Sequence, residues 1–262
     1  MILSHDYRFI FVKPKKVAGT SLEILLSQLC GAHDIITPIA KIDEATRSRL
    51  GFPGPQNYRK RLREASFDDW RRLILRQKTP LRFYNHIPAT EIKKSVGDEI
   101  WNSYLTISIV RNPFDYAISR YYWKRKSGNE QDFTSFLRAN PQCLTENRRI
   151  TDIDGRCEID FMVRYENLQA DLTQLSERLG LDKNLGTESS MVTAKSGVRP
   201  VSATMSRMYS SHPEALDIVR DRCRHDIERY GYDLPSIDVE TLAVTPGPNP
   251  APDSPNTVGR KA

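Results

Sequence analysis

Phe9-Ile10-Phe11-Val12-Lys13-Pro14-Lys15-Lys16-Val17-Ala18-Gly19-Thr20-Ser21-Leu22-Glu23 changes pattern twice. Residues 8–13 read as a short buried strand. A turn rich in small and basic residues follows, and then a helix to about Cys30. Thr20 or Ser21 is placed to cap that helix, Glu23 suits its first turn, and Gly31 is a natural stop. A helix start fed by a tight loop presents backbone N–H groups and the positive end of the peptide dipoles, which together favour an anion. Lysines 13, 15 and 16 and the hydroxyls of Thr20 and Ser21 add charge and donors. The stretch reads as a phosphate- or phosphosulfate-binding loop. It is not the G-x-x-x-x-G-K-[ST] loop of ATP-using enzymes: here Lys16 stands at the front and the hydroxyls follow Ala18 and Gly19. Taken alone, a solvated basic turn accounts for it equally well.

The chain has 262 residues, 39% hydrophobic and 27% charged, which fits one α/β domain with insertions or two small domains. The net charge of +6 favours acidic ligands without separating nucleotide, acidic glycan and nucleic acid. Cys30, Cys143, Cys157 and Cys223 are scattered, with no C-x-x-C and no histidine at ligand spacing, so they read as reduced structural thiols and no metal is expected. Residues 1–7 are too few for a signal peptide. No run of about eighteen apolar residues occurs, so no integral membrane segment and a cytoplasmic location are expected.

Beyond the loop, residues 37–50 read as partly helical and 51–55 as a turn. Residues 57–77 are strongly basic, with Leu62, Phe67, Trp70, Leu73 and Ile74 as an apolar stripe at helical spacing. The stripe is read either as a helix docked on the body or, with the rest of an insertion over 34–80, as a wall for an acidic acceptor. Strands are expected at 81–84, 104–110 and 159–164, and helices at 88–96, 113–126, 132–138 and 168–179. A polar loop or lid over 182–206 carries Lys195 and Arg199. Ser211 and Glu214 form a capping box opening a last helix to about Tyr230. One domain over 1–240 is expected, then a disordered proline-rich tail over 241–262. Strands alternating with helices imply an α/β fold with a mainly parallel sheet and helices on both faces. Ligands in such sheets bind beyond the carboxyl ends of the strands. Lys16, His86 and Arg111 each follow an expected strand, which places them around one crevice.

Arg111-Asn112-Pro113-Phe114-Asp115-Tyr116-Ala117-Ile118-Ser119 is a second anion-binding stretch. Arg111 at a strand end suits a bidentate phosphate contact, and Ser119, two turns into the next helix, offers a hydroxyl to the same anion. The plainer alternative is an Arg111–Asp115 salt bridge with Ser119 bonded back to its own helix.

Together the two stretches resemble the sulfotransferases that use 3′-phosphoadenosine 5′-phosphosulfate (PAPS), in which a P-K-x-G-G-T-S loop binds the 5′-phosphosulfate and R-N-P-x-x-x-x-x-S the 3′-phosphate. The resemblance is closest to the Golgi-type carbohydrate O-sulfotransferases. It also draws on His86, on Arg164-Tyr165-Glu166-Asn167-Leu168 and on Tyr230-Gly231-Tyr232, and covers roughly residues 8–232. It implies a P-loop-NTPase-like three-layer fold and PAPS as co-substrate without a metal. The implied donor-binding set is Lys15, Lys16, Val17, Ala18, Gly19, Thr20, Ser21, Arg111 and Ser119, with Lys195 and Arg199. It further implies Lys16 as the catalytic cation, His86 as the base, and a hydroxyl-bearing acceptor, carbohydrate or similar, rather than nucleic acid. The sequence departs from the family at Lys15 for proline, which leaves Lys15 or Lys16 as the loop lysine with register favouring Lys16. It departs again at Ala18 for glycine, which asks for an ordinary backbone there, and at Tyr116, where an arginine is frequent. Two rivals remain. An ATP–magnesium kinase lacks its lysine and carboxylate here, and a nucleic-acid module has only the basic 59–76 segment in its favour.

Overall fold

A computed structural model of the chain describes residues 1–60, 81–128, 130–192 and 198–237. The apolar stripe of 62–74, Lys195 and the proline-rich tail lie outside them. The apolar start of the chain is broken by the polar turn at Asp6-Tyr7-Arg8, and its two halves pair. β1 (Ile2–Ser4) runs antiparallel to β2 (Phe9–Phe11), with Ile2 opposite Phe11. Sequence reading found β2 and missed β1, because three residues before a turn carry no period to read.

The remaining strands are β3 (Ile35–Ile36), β4 (Leu105–Val110), a small hairpin of β5 (Asp152–Ile153) and β6 (Arg156–Cys157), and β7 (Phe161–Arg164). The main sheet has the order β3-β1-β2-β4-β7. β2, β4 and β7 are parallel, and β3, antiparallel to β1, points the same way, so β1 alone opposes the others. In chain order the α-helices are α1 (Gly19–Ser27), α2 (Lys41–Arg49), α3 (Ala89–Val96), α4 (Asp98–Ser103), α5 (Pro113–Arg125), α6 (Phe133–Ala139), α7 (Arg148–Thr151), α8 (Leu168–Arg178), α9 (Leu185–Glu188), α10 (Met205–Ser211) and α11 (Pro213–Tyr230). The fold is mixed α/β around a central, mainly parallel sheet, as the sequence implied.

The chain divides into two units, Met1–Arg111 with Glu146–Ala194 and Asn112–Thr145 with Lys195–Ala262. The first holds the sheet. Ile10 and Val12 project from one face into a cluster with Phe83, Ile87, Ile92 and Trp101. Phe9 and Phe11 alternate with them and are equally closed to solvent, so both faces of β2 are covered. The second unit is helical, with Phe114, Ile118, Tyr121, Phe133, Phe136, Met208, Tyr209 and Val219 in one core. Asn112 caps α5 by accepting from the Phe114 N–H at 2.9 Å, and Pro113 occupies the first helical position.

Three expectations need correction. Residues 81–84 form no strand: Leu81 makes an isolated bridge to Arg59, and the N–H groups of Arg82 and Phe83 both converge on the Tyr58 carbonyl at 3.0 Å. That convergence closes a turn instead of propagating a ladder; the apolar signal came from Phe83, a core anchor. Ser211 ends α10 rather than capping α11, whose N-cap is His212 without a side-chain bond; Glu214 pairs instead with Arg138. The stretch 182–206 is not all loop, since α9 and a 3-10 turn (Ser189–Met191) lie within it.

A buried ion pair ties β2 to α1. Lys13 Nζ lies 2.5 Å from Glu23 Oε2, and both side chains are essentially closed to solvent. The Met1 amino group reaches the other carboxylate oxygen at 2.8 Å. Lys13 is therefore not a loop cation, and Glu23 does not serve the first turn of α1. Helical side chains lean toward the helix N-terminus, which brings Glu23 back over the strand end. Burial opposes the charged carboxylate, but the amino group and Lys13 override it and hold Glu23 at about 2. Removing one partner of a buried pair leaves the other charge uncompensated. Lys13→Met should therefore lower unfolding free energy by about 3–5 kcal/mol in urea titration, whereas half-exposed Lys15→Met should change it by less than about 1 kcal/mol.

Candidate active site

The loop between β2 and α1 stands at the carboxyl end of two parallel strands. Val12 continues the pairing, its N–H donating to Ile107 O at 2.8 Å, and Ser108 Oγ donates back to Val12 O at 2.8 Å. Beyond Lys13 the chain turns through Lys16 and Ala18, both left-handed at φ 60 and 62. Ala18 is the N-cap of α1, and no side chain caps the helix. Two expectations fail here: neither Thr20 nor Ser21 is the cap, and Ala18 does not keep an ordinary backbone. Gly19 has its own reason. A Cβ there would lie 3.1 Å from Lys13 Cγ and 3.2 Å from the Pro14 carbonyl, so any side chain would crowd the strand end and press on that carbonyl. An N-terminus without a side-chain cap keeps its first N–H donors directed at the loop.

Arg111 follows β4 directly, and its Nη1 donates to the Lys16 carbonyl at 3.4 Å. Because Val110 pairs with Arg164, the residue after each strand meets the other: the Arg111 guanidinium lies 4.4 Å from the centroid of the Tyr165 ring. His86 sits in a turn rather than after a strand, left-handed at φ 61, and shares a hydrogen bond of 3.0 Å between Nδ1 and the Lys13 carbonyl. A carbonyl only accepts, so Nδ1 carries the proton and Nε2 keeps its lone pair. Burial, partly offset by that bond, lowers the imidazole to about 4, which keeps it neutral at ordinary pH. The first unit thus brings His86 and Arg111 to the loop that carries Lys16, at the Lys13 and Lys16 carbonyls.

Lys15 turns aside. Its Nζ pairs with Glu146 at 3.1 Å, while its backbone N–H and C=O are held by the Asn147 side chain at 2.8 and 2.9 Å. Thr20 is buried; Val17 is buried, and Ser21 is half-buried. Ser119 lies half-buried on α5 of the second unit. Arg199, also there, is bound to Asp115 and donates to the Ala203 carbonyl. Tyr116, at the position of a frequent arginine, is buried with its hydroxyl on the Cys143 carbonyl. Sequence reasoning missed Glu146 and Asn147, 131 and 132 residues from Lys15, and assigned no role to Tyr165. Among the described residues no group of three or more His, Cys, Asp and Glu could hold a metal, and no helix is long and apolar enough to cross a membrane.

With this geometry in hand, comparison with known proteins decides the family. The model of the family described as "Sulfotransferase family" matches residues 1–233. The chain belongs to the sulfotransferase family. It is a sulfuryl transferase with the P-loop-NTPase-like fold of that family. An uncharacterized protein of Archaeoglobus fulgidus is 31% identical over 109 residues, which cover 38% of this sulfotransferase and 87% of the relative. No solved structure matches.

Two outcomes test the site's backbone and titration. Left-handed alanine costs about 1–2 kcal/mol and glycine returns roughly half of that as entropy. Ala18→Gly should therefore raise stability by about 0.5–1 kcal/mol, and Gly19→Ala should lower it by about 1–3 kcal/mol through crowding of the Pro14 carbonyl. Between pH 6.5 and about 4 the unfolded chain binds a proton at His86 that the folded chain does not. Stability should fall as pH drops through that window, and a His86→Gln variant should show a shallower fall in melting temperature.

Proposed function

We propose that the chain transfers the sulfuryl group of PAPS to a hydroxyl of an acceptor, a carbohydrate or other glycan-like molecule. The observation that carries this reading is the attachment of Arg111 and His86 to successive parts of one loop, at the Lys16 and Lys13 carbonyls. Two anion-binding elements and a neutral base then surround a single strand-to-helix turn. The turn and the uncapped start of α1 receive the 5′-phosphosulfate, and Arg111, oriented by Tyr165, receives the 3′-phosphate. Ser119 and Arg199 belong to the second unit and enter this reading through the sequence motif and the lid alone.

Each role follows from chemistry. The acceptor oxygen bonds to sulfur as the bond from sulfur to the bridging phosphate oxygen breaks, and negative charge grows on that oxygen. Lys16 and the N–H groups at the start of α1 meet the charge. His86 Nε2 takes the hydroxyl proton, and its Nδ1–H bond to Lys13 holds the tautomer that makes this possible. The donor set is cationic and amide in character, suited to phosphate and sulfonate oxygens. The carbohydrate acceptor rests on the resemblance to the Golgi-type branch.

A thermal-shift comparison of 3′-phosphoadenosine 5′-phosphate with ATP–magnesium tests the donor. The first, at a hundred times its dissociation constant, should stabilise by about 2.7 kcal/mol; stabilisation by ATP–magnesium alone would transfer the case to a kinase. With a sulfated product followed from radiolabelled PAPS, Lys16→Ala should lower turnover by about 10²–10³. His86→Ala should lower it by about 10²–10⁴ while nucleotide affinity stays unchanged. Full turnover in the His86 variant would remove it as the base.

A further inference from the structure

The carboxamide of Asn147 behaves as a peptide group would. Its Oδ1 accepts from Lys15 N at 2.8 Å and its Nδ2 donates to Lys15 O at 2.9 Å, so both backbone groups of one loop residue are held from 132 residues away. The neighbouring Glu146 takes the Lys15 ammonium at 3.1 Å. Asn147 starts α7 through its own backbone carbonyl, which accepts from Ile150 and Thr151 at 2.9 and 3.1 Å. Its side chain is thereby committed to the loop, not to its own helix.

We propose that Asn147 is a positioning residue for the anion-binding loop, holding the Lys15 peptide so that Lys16 stays in its left-handed conformation. Lys15 is held at both its N–H and its C=O; the next carbonyl, that of Lys16, accepts from Arg111. Lys16 is bracketed between the two, and its φ of 60 is a conformation a lysine keeps only where its surroundings impose it. Without the carboxamide the Lys15–Lys16 peptide can rotate, Lys16 relaxes to negative φ, and the end of the loop that receives the 5′-group loses its shape. The Arg111 end is set mainly by β4 and Tyr165, and these supports remain when its long bond to the Lys16 carbonyl is lost.

This rests on the proposed PAPS reading, and the experiment separates the two. Full-length Asn147→Leu and Asn147→Ala, both uncharged, are compared with the parent chain by calorimetry at a temperature where circular dichroism shows each folded. Two nucleotides are used: 3′-phosphoadenosine 5′-phosphate and adenosine 3′-monophosphate, which lacks the 5′-group. The dissociation constant of the first should rise about 10- to 100-fold, while that of the second stays within about twofold. A merely structural role would weaken both nucleotides alike, and that result, or unchanged affinity for the first in whichever variant folds, would overturn the proposal. Failure of the parent chain to bind 3′-phosphoadenosine 5′-phosphate would instead overturn the PAPS reading and the inference built on it.

Discussion

The Lys13–Glu23 pair is the constraint on which the loop depends. It joins the residue just after β2 to the second turn of α1 and so closes the loop at its base. Removal of two charges from water is costly, and their attraction offsets the cost only with good geometry and further bonds. Both are present here: the carboxylate also accepts from the Met1 amino group and from Thr37 Oγ1 at 2.9 Å. With strand end and helix start held together, Gly19 is pressed against Lys13 and Pro14, and the few residues between must turn sharply.

That sharp turn accounts for part of the strain in the backbone. Lys16 and Ala18 in the loop and His86 beside it are three non-glycine residues with positive φ, a conformation costing roughly 1–3 kcal/mol each. The surroundings maintain it. Asn147 holds the peptide before Lys16, Arg111 the carbonyl of Lys16 itself, and the His86 ring is bonded to the Lys13 carbonyl. Backbone groups held in this way are already placed and need not reorganise.

The basic stretch is less uniform than its composition. Of the lysines at 13, 15 and 16, the first is given to Glu23 and the second to Glu146. Arg199, a nucleotide-closing candidate, is given to Asp115. The net charge of +6 was therefore a poor guide to which cations serve chemistry.

Local pattern was enough for β2, β4, β7, α1 and α5, because apolar runs, an N-cap asparagine with proline, and glycine stops act over a few residues. It was also enough to single out the stretches that follow β2 and β4, two strands that lie side by side as parallel neighbours. Tertiary structure alone decided what holds them. Nothing near Lys15 in sequence points to Asn147, nothing in Glu23 distinguishes a helix-start carboxylate from a buried counter-ion, and the apolar residues of 81–84 look the same in a strand as in a turn around Phe83. Such features depend on which distant backbone groups remain to be satisfied once the chain has closed, a quantity that exists only in the folded protein.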